Sequence, residues 1–248
     1  MSALLVVNTL CRREVVRFVR QRSRLVGALA QPVLFWMLLG GGMSASFKPA
    51  GEAAGTRYMA YFYPGIIALT LLFTAIFATI SVVEDRKAGF LQGVLVAPVS
   101  RWSIVMGQAA GATTLAAFQG GLLLLLAPLA GLTLSVRVVA SAFAVMIPLA
   151  FSMTGLGLML AWRMESTQGF HAIMNLVLMP MWLLSGAFFP AAGAPAWLGW
   201  AMRLNPMTYG MTALREALGT GQLDLASLMV VGMFGVVAFA GAARLANR

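Results

Sequence analysis

The sequence predicts an all-α polytopic membrane protein, and three observations carry that prediction. The 248 residues are 60% hydrophobic and only 10% charged, whereas soluble domains run at about 45–50% apolar and about 25% charged. Mean hydropathy is +0.88. Uncharged stretches of the length needed to cross a bilayer, about 20 residues, recur along the whole chain. A soluble core cannot absorb this much apolar surface, and a disordered chain has few apolar residues. Residues 1–248 read as a single transmembrane domain.

The first element, 4–24, reads as an amphipathic helix. At about 100° per residue, Val7, Cys11, Val15, Phe18 and Val19 share one arc, with Arg13, Arg17, Arg20 and Arg24 opposite. Such a helix is expected to lie along the cytoplasmic interface with its arginines among the headgroups. Its apolar residues precede its basic cluster, the reverse of a secretory signal. Six spans follow, at about 25–43, 61–83, 104–128, 138–162, 169–189 and 225–243. Pro32 and Gly40–Gly42 in the first are tolerable where neighbouring helices satisfy the backbone.

Orientation follows from the seventeen Lys and Arg, which outnumber seven Asp and Glu for a net charge of +10. With the N-terminus inside, twelve fall on the cytoplasmic side, among them Arg86, Lys87, Arg101, Arg163 and Arg244. Five fall outside: Lys48, Arg57, Arg137, Arg203 and Arg215. The positive-inside rule then predicts a multi-pass protein of the cell (inner or plasma) membrane with both termini cytoplasmic. The basic excess is accounted for by cytoplasmic loops and anionic lipid, so nucleic acid is not expected as a partner.

Three segments lie outside the expected spans. The external loop 44–60 carries nothing chemical. The cytoplasmic stretch 84–100 has a charged start (Glu84, Asp85, Arg86, Lys87), then Gly89, an apolar middle (Phe90, Leu91, Val94, Leu95) and a stop at Pro98. That pattern predicts a short amphipathic helix lying on the membrane or pressed into a partner. The external region 190–218 stays apolar yet contains Pro190, Pro195 and Pro206, with Trp197, Trp200 and Tyr209 suited to an interfacial belt. It reads as short re-entrant helices, with Asn205-Pro206 as a turn before a second helix over 207–218.

These two stretches resemble the permease subunits of ABC-2 type exporters. The likeness rests on Asp85-Arg86-x-x-Gly89-Phe90-Leu91 with Leu95-Val96-Ala97-Pro98-Val99-Ser100-Arg101 and Gly107. It rests equally on Ser185-Gly186-x-Phe188-x-Pro190, Pro195-x-Trp197-Leu198 and Asn205-Pro206-Met207-Thr208-Tyr209 with Leu214-Arg215. Lys87 and Gly93 stand where that family commonly has an acidic residue. The resemblance implies that 84–100 is a coupling helix seated on a separate ATP-hydrolysing subunit, two copies of which bind ATP and Mg. Glu84, Asp85, Arg86, Lys87, Gly89, Phe90 and Leu91 would be the coupling residues, and the N-terminal helix would brace the same subunit. It further implies a second permease chain, a copy or a paralogue, with the conduit mainly between the second and fifth spans. Phe73, Phe77, Met174 and Met181 are the candidate seam residues, suited to an amphipathic, lipid-like, drug-like or lipid-linked glycan cargo because Met and aromatics repack around varied shapes.

Other chemistries find little support. No G-x-x-x-x-G-K-[ST] occurs, so this chain has no phosphate-cradling loop and is not expected to be an enzyme or to hold a cofactor. The single Cys11 excludes an intrachain disulfide framework and multi-cysteine metal sites. The only histidine, His171, lies fourteen residues from Ser185, about 21 Å along one straight helix and beyond hydrogen-bond reach. Gly107-x-x-x-Gly111 permits close helix approach. The alternative is an ion-coupled secondary transporter or channel, which would keep ionisable residues deep in its spans. Here Glu84, Asp85, Arg163 and Glu165 sit at span ends.

Overall fold

The computed structural model describes residues 3–43, 58–96, 99–191 and 194–246. Lys48, Arg57, Ala97, Pro98 and Arg248 lie outside the described residues, as do the side chains of Arg24, Leu95 and Val96. Among the described residues all regular structure is helical. In chain order it comprises α1 (Ala3–Arg20), α2 (Arg22–Met43), α3 (Tyr58–Lys87), α4 (Phe90–Val96), α5 (Arg101–Leu124) and a 3₁₀ turn (Ala127–Ala130). Then come α6 (Val136–Ala161), α7 (Thr167–Trp182) with a π turn (Leu183–Ala187), α8 (Ala196–Leu204), α9 (Pro206–Thr220) and α10 (Leu225–Ala246).

The bundle is built around α3, whose apolar window is 94% buried. A helix hydrophobic on all sides has to be surrounded, and α3 is. On one side α2 is fastened by Trp36, whose indole Nε1 donates to Met59 O at 3.0 Å and whose ring meets Tyr63 edge-on at 5.2 Å. On another, α5 runs antiparallel to α3, with Tyr63 OH donating to Leu123 O and Thr74 Oγ1 to Gln119 Oε1. α6 packs beyond α3 and α5, α10 lies parallel to α6, and α7 covers the remaining side through Phe170, Met174, Leu178 and Trp182.

Among the described residues, five helical stretches are long and apolar enough to cross a membrane: Val26–Met43, Tyr58–Lys87, Val136–Ala161, Thr167–Ala187 and Leu225–Ala246. The expected third span, α5, has 24 residues but is diluted by Gln108, Thr113, Thr114 and Gln119 together with its glycines. It also stops at Leu124 rather than 128, because the chain turns there and Pro128 enters the 3₁₀ turn. The stretch 84–100 is likewise not one helix. Glu84–Lys87 form the last turn of α3, the chain reverses at Gly89 with φ +74°, and only Phe90 onward is α4.

The largest correction concerns α1. Its buried stripe is Leu10, Glu14 and Phe18, with Val7, Cys11 and Val15 half-buried and Val19 exposed. The stripe lies on α5 rather than on a lipid surface. The two helices run parallel, Val7 and Leu10 over Gly107, Cys11 and Glu14 over Gly111, and Phe18 against Leu115. A Cβ on Gly111 would stand 2.8 Å from that of Glu14 and 3.1 Å from Cys11 O. The G-x-x-x-G spacing is the seat of the N-terminal helix.

Gly111→Leu should therefore lift α1, since overpacking costs about 1–3 kcal/mol. Maleimide labelling of half-buried Cys11, the chain's only cysteine, should accelerate roughly tenfold, a factor of ten being about 1.4 kcal/mol. Gly232→Leu, where a side chain would meet nothing within 4 Å, should leave the rate unchanged. Equal rates in both variants would rule out this seat.

Candidate functional site

The residues singled out in the sequence gather at the two ends of α3. At its C-terminal end, Glu84 and Asp85 are held by α1. Arg13 grips Asp85 bidentately, Nη1 to Oδ2 at 2.6 Å and Nη2 to Oδ1 at 2.9 Å. Arg17, one turn on, donates from Nη1 to Asp85 Oδ1 and from Nη2 to Glu84 Oε2, both at 2.7 Å. Planar forks on carboxylates are the strong form of this contact. Arg13 also reaches Glu14 Oε1 at 3.1 Å and stacks 4.0 Å over the Phe90 ring. Asp85 raises the affinity of the Arg13 guanidinium for its proton, and burial pushes the Glu14 carboxyl up from its ordinary value.

Arg13 and Arg17 were expected among the headgroups, opposite the apolar arc. They turn back to α3 instead, because Asp85 is buried there and a buried carboxylate needs a partner. The signal in the sequence was two arginines four apart against two adjacent acids. Arg86 faces the other way, donating from Nη2 to Trp162 O at 2.8 Å and from Nη1 to Met164 O at 3.2 Å at the end of α6. Leu91 is buried, whereas Lys87, Gly89 and Phe90 are exposed. Between α1 and α4 lies a groove of about 490 Å³ lined by Val6, Leu10, Gly89, Phe90, Val94 and Val99.

At the N-terminal end of α3, side chains fill the gaps in an irregular stretch. After Pro180, α7 passes into the π turn, where Gly186 takes φ +83°. That backbone leaves carbonyls without helical partners, and each needs a donor. Tyr61 OH and Arg215 Nη2 both donate to Gly186 O, at 3.0 and 3.1 Å, and the Arg215 guanidinium lies 4.2 Å over the Tyr61 ring. Tyr58 OH donates to Phe188 O at 3.1 Å, Thr208 Oγ1 to Leu184 O at 3.3 Å, and Asn205 Nδ2 to Met181 O at 2.6 Å. In return Trp182 Nε1 donates to Gly65 O of α3 at 2.8 Å.

Asn205 also caps α9, its Oδ1 accepting from Met207 N at 3.0 Å, with Pro206 in the first turn. Tyr209 OH donates to Arg203 O at 2.9 Å, and Pro190 is half-buried beyond the π turn. The motif around Asn205-Pro206 thus holds this end together. Tyr58, Tyr61 and Trp182, absent from the sequence-based site, carry much of that work. Of the seam candidates, Phe73 and Met174 are buried inside the chain's own core, while Phe77 and Met181 are half-buried. Phe77 stacks on Phe73 and meets His171 edge-on.

Residues 6–218 match the family described as ABC-2 type transporter. The chain is 27% identical over 208 residues to a protein of Cyanophora paradoxa named as transport permease ycf38, covering 83% of this chain and 71% of that one. It is 28% identical over 195 residues to Nodulation protein J of Rhizobium leguminosarum bv. trifolii, covering 78% and 73%. A protein of Escherichia coli (strain K12) named as multidrug ABC transporter permease YbhR is 28% identical over 153 residues, covering 61% of this chain and 42% of that one.

The buried Glu14 carboxyl gives the clasp a pH dependence. Its raised value means that protonation favours the docked helix. The contribution is complete below the ordinary carboxylate range and is lost as pH rises through the raised value. Glu14→Gln should therefore raise the midpoint of thermal unfolding at about pH 8, with the gain shrinking towards about pH 5. A gain that grows as pH falls would contradict this assignment.

Proposed function

Because the chain belongs to the ABC-2 type transporter family, as a membrane permease subunit of an ABC transporter, we propose that it is an exporter subunit driven through its cytoplasmic end. An ATP-hydrolysing partner, in two copies, binds ATP and Mg and seats against α4 and the first half of α1. The observation that carries this reading is the clasp of Arg13 and Arg17 on Glu84 and Asp85. It makes α1, the end of α3 and α4 one mechanical unit, so a push on exposed Lys87, Gly89 and Phe90 is delivered to α3. Glu84, Asp85 and Arg86 transmit that push from inside the chain, and Leu91 anchors α4 beneath it.

In this reading α5 is a sixth span. Its 24 residues extend about 36 Å, beside α3 throughout, and Thr74 answers the Gln119 amide within the bundle. Both termini are then cytoplasmic in the cell (inner or plasma) membrane, and α8 and α9 form the re-entrant region at the outer face.

A second permease chain covers α2 and α7, the first span replacing the second at the seam because α3 is enclosed within the chain. The outward faces of α6 and α10 are apolar at mid-depth, but α2 and α7 expose the side-chain amides of Gln31 and Asn175. Amides are costly against hydrocarbon and act as glue between transmembrane helices. They stand nine and eight residues into their helices. The cargo, an amphipathic or lipid-like molecule, then moves along this seam past Phe77 and Met181. Phe73 and Met174 are reached only as the seam opens.

Phe90→Asp combined with Lys87→Glu should reduce co-purification of the ATPase about tenfold, as loss of an interface anchor does, while Cys11 labelling stays unchanged. Retained association and retained coupled hydrolysis would sink the proposal. In a Cys11→Ser background, co-expressed copies carrying Gln31→Cys and Asn175→Cys should crosslink to each other. Free reaction of both positions with a lipid-soluble maleimide, without crosslinks, would instead assign these faces to lipid.

A further inference from the structure

α6 and α10 lie parallel and close. Ser152 Oγ donates to Val231 O at 2.7 Å, and Gly155 meets the backbone of Gly235 and Phe239 so tightly that a Cβ would stand 3.1 Å from Phe239 N. Pinned there, the two helices part at their C-terminal ends. A groove of about 350 Å³ opens between them, floored by Met159, Leu160, Gly241 and Leu245 and flanked by Arg163 and Arg244. Both arginines are exposed. Arg244 sits in the last turn of α10 and Arg163 two residues beyond α6.

Arginines at helix C-termini ordinarily turn onto the free carbonyls of the last turn. Here other arginines have reached those carbonyls first. Arg86 takes Trp162 O and Met164 O at the end of α6, and Arg101 Nη1 takes Ala246 O of α10 at 3.1 Å. Among the described residues neither Arg163 nor Arg244 forms an ion pair, although exposed Glu165 is close to Arg163 in sequence. Four guanidiniums thus surround the ends of two apolar helices, and two of them have no hydrogen-bond partner among the described residues. The floor belongs to the apolar ends of two spans, so it stands where acyl chains meet headgroups.

The geometry points to a binding site for one anionic phospholipid. Its phosphate lies between Arg163 and Arg244, and the first methylenes of its acyl chain rest on Met159, Leu160 and Leu245. A basic pocket between transmembrane helices on the cytoplasmic side suits such a headgroup, and zwitterionic lipid gains far less there. Bound in this way, the lipid bridges the ends of α6 and α10. The inference needs only that these two helices span the bilayer, and does not depend on the cargo or on the ATPase contact.

The test uses the full-length chain purified in detergent, with bound lipid counted by native mass spectrometry during titration with phosphatidylglycerol or phosphatidylcholine. Each arginine near an anionic headgroup is worth roughly fivefold in affinity. Arg163→Gln or Arg244→Gln alone should therefore weaken phosphatidylglycerol binding about fivefold and the double variant about thirtyfold. Phosphatidylcholine binding should not change, and Arg203→Gln, an exposed arginine near the other end of the bundle, should leave both lipids unaffected. Inorganic phosphate should fail to displace the bound lipid, because it lacks the apolar anchor. Equal phosphatidylglycerol binding by wild type and the double variant overturns the site. So does full displacement by phosphate, or loss of ATPase association in the double variant with lipid binding unchanged.

Discussion

Two carboxylates at the end of the most deeply buried helix need counter-charges, and α1 supplies two of them, Arg13 and Arg17. An exposed ion pair contributes about 0–1 kcal/mol, but Asp85 keeps only 5% of its side-chain surface, so an unpaired charge there would be far more costly. Removing one partner of a fully buried pair costs roughly 3–5 kcal/mol. The figure here is smaller, since Arg13 and Arg17 retain 30% and 25% exposure. The pairing still dictates the position of α1. Once Arg13 and Arg17 are fixed on α3, the opposite stripe of α1 has to find cover, and α5 is the surface available. Gly107 and Gly111 follow from that, because no larger residue leaves room for Leu10 and Glu14.

The same requirement explains why α5 reads as a weak span. A helix that must accept α1 on one side and α3 on another needs small residues, and Gly and Ala contribute little hydropathy. Its Gln119 is buried inside the bundle, where the side-chain oxygen accepts from Thr74. Low hydropathy in α5 is the consequence of being packed on several sides. The converse holds for α10, whose outward face carries Met229, Met233, Val236 and Val237 and needs no protein neighbour.

Much of this architecture is legible in the sequence, and the limits of that legibility are specific. Hydropathy located the five long apolar helices, and Asn205-Pro206 located the start of α9, because each signal is local. The orientation of α1 was not local. Its helical wheel placed Val19 inside and Glu14 out of consideration, since a wheel ranks residues by polarity and cannot foresee a carboxylate buried beside an arginine. For the same reason the charged run at 84–87 appeared to belong to the helix that follows it. Only the turn at Gly89 divides the two. Tyr58, Tyr61 and Trp182 stood outside the sequence-based site because an aromatic in a span is ordinarily packing. Their hydroxyl and indole groups acquire work only when a π turn across the bundle exposes carbonyls.

That π turn makes the two ends of the molecule parts of one device. α3 carries Asp85 at one end and Tyr58, Tyr61 and Gly65 at the other, and it is surrounded along nearly all its length. A closely packed helix of this kind cannot bend to absorb a small displacement; it shifts as a body or not at all. Movement imposed through the clasp therefore reaches hydrogen bonds on Gly186, Phe188 and Trp182, where the backbone is already irregular and has alternatives to a continuous helix. Arg215 on Gly186 O and Asn205 on Met181 O connect this stretch to α9. The family motifs at the two ends, far apart in sequence, both bond to α3, and in the proposed function α3 is the lever between them.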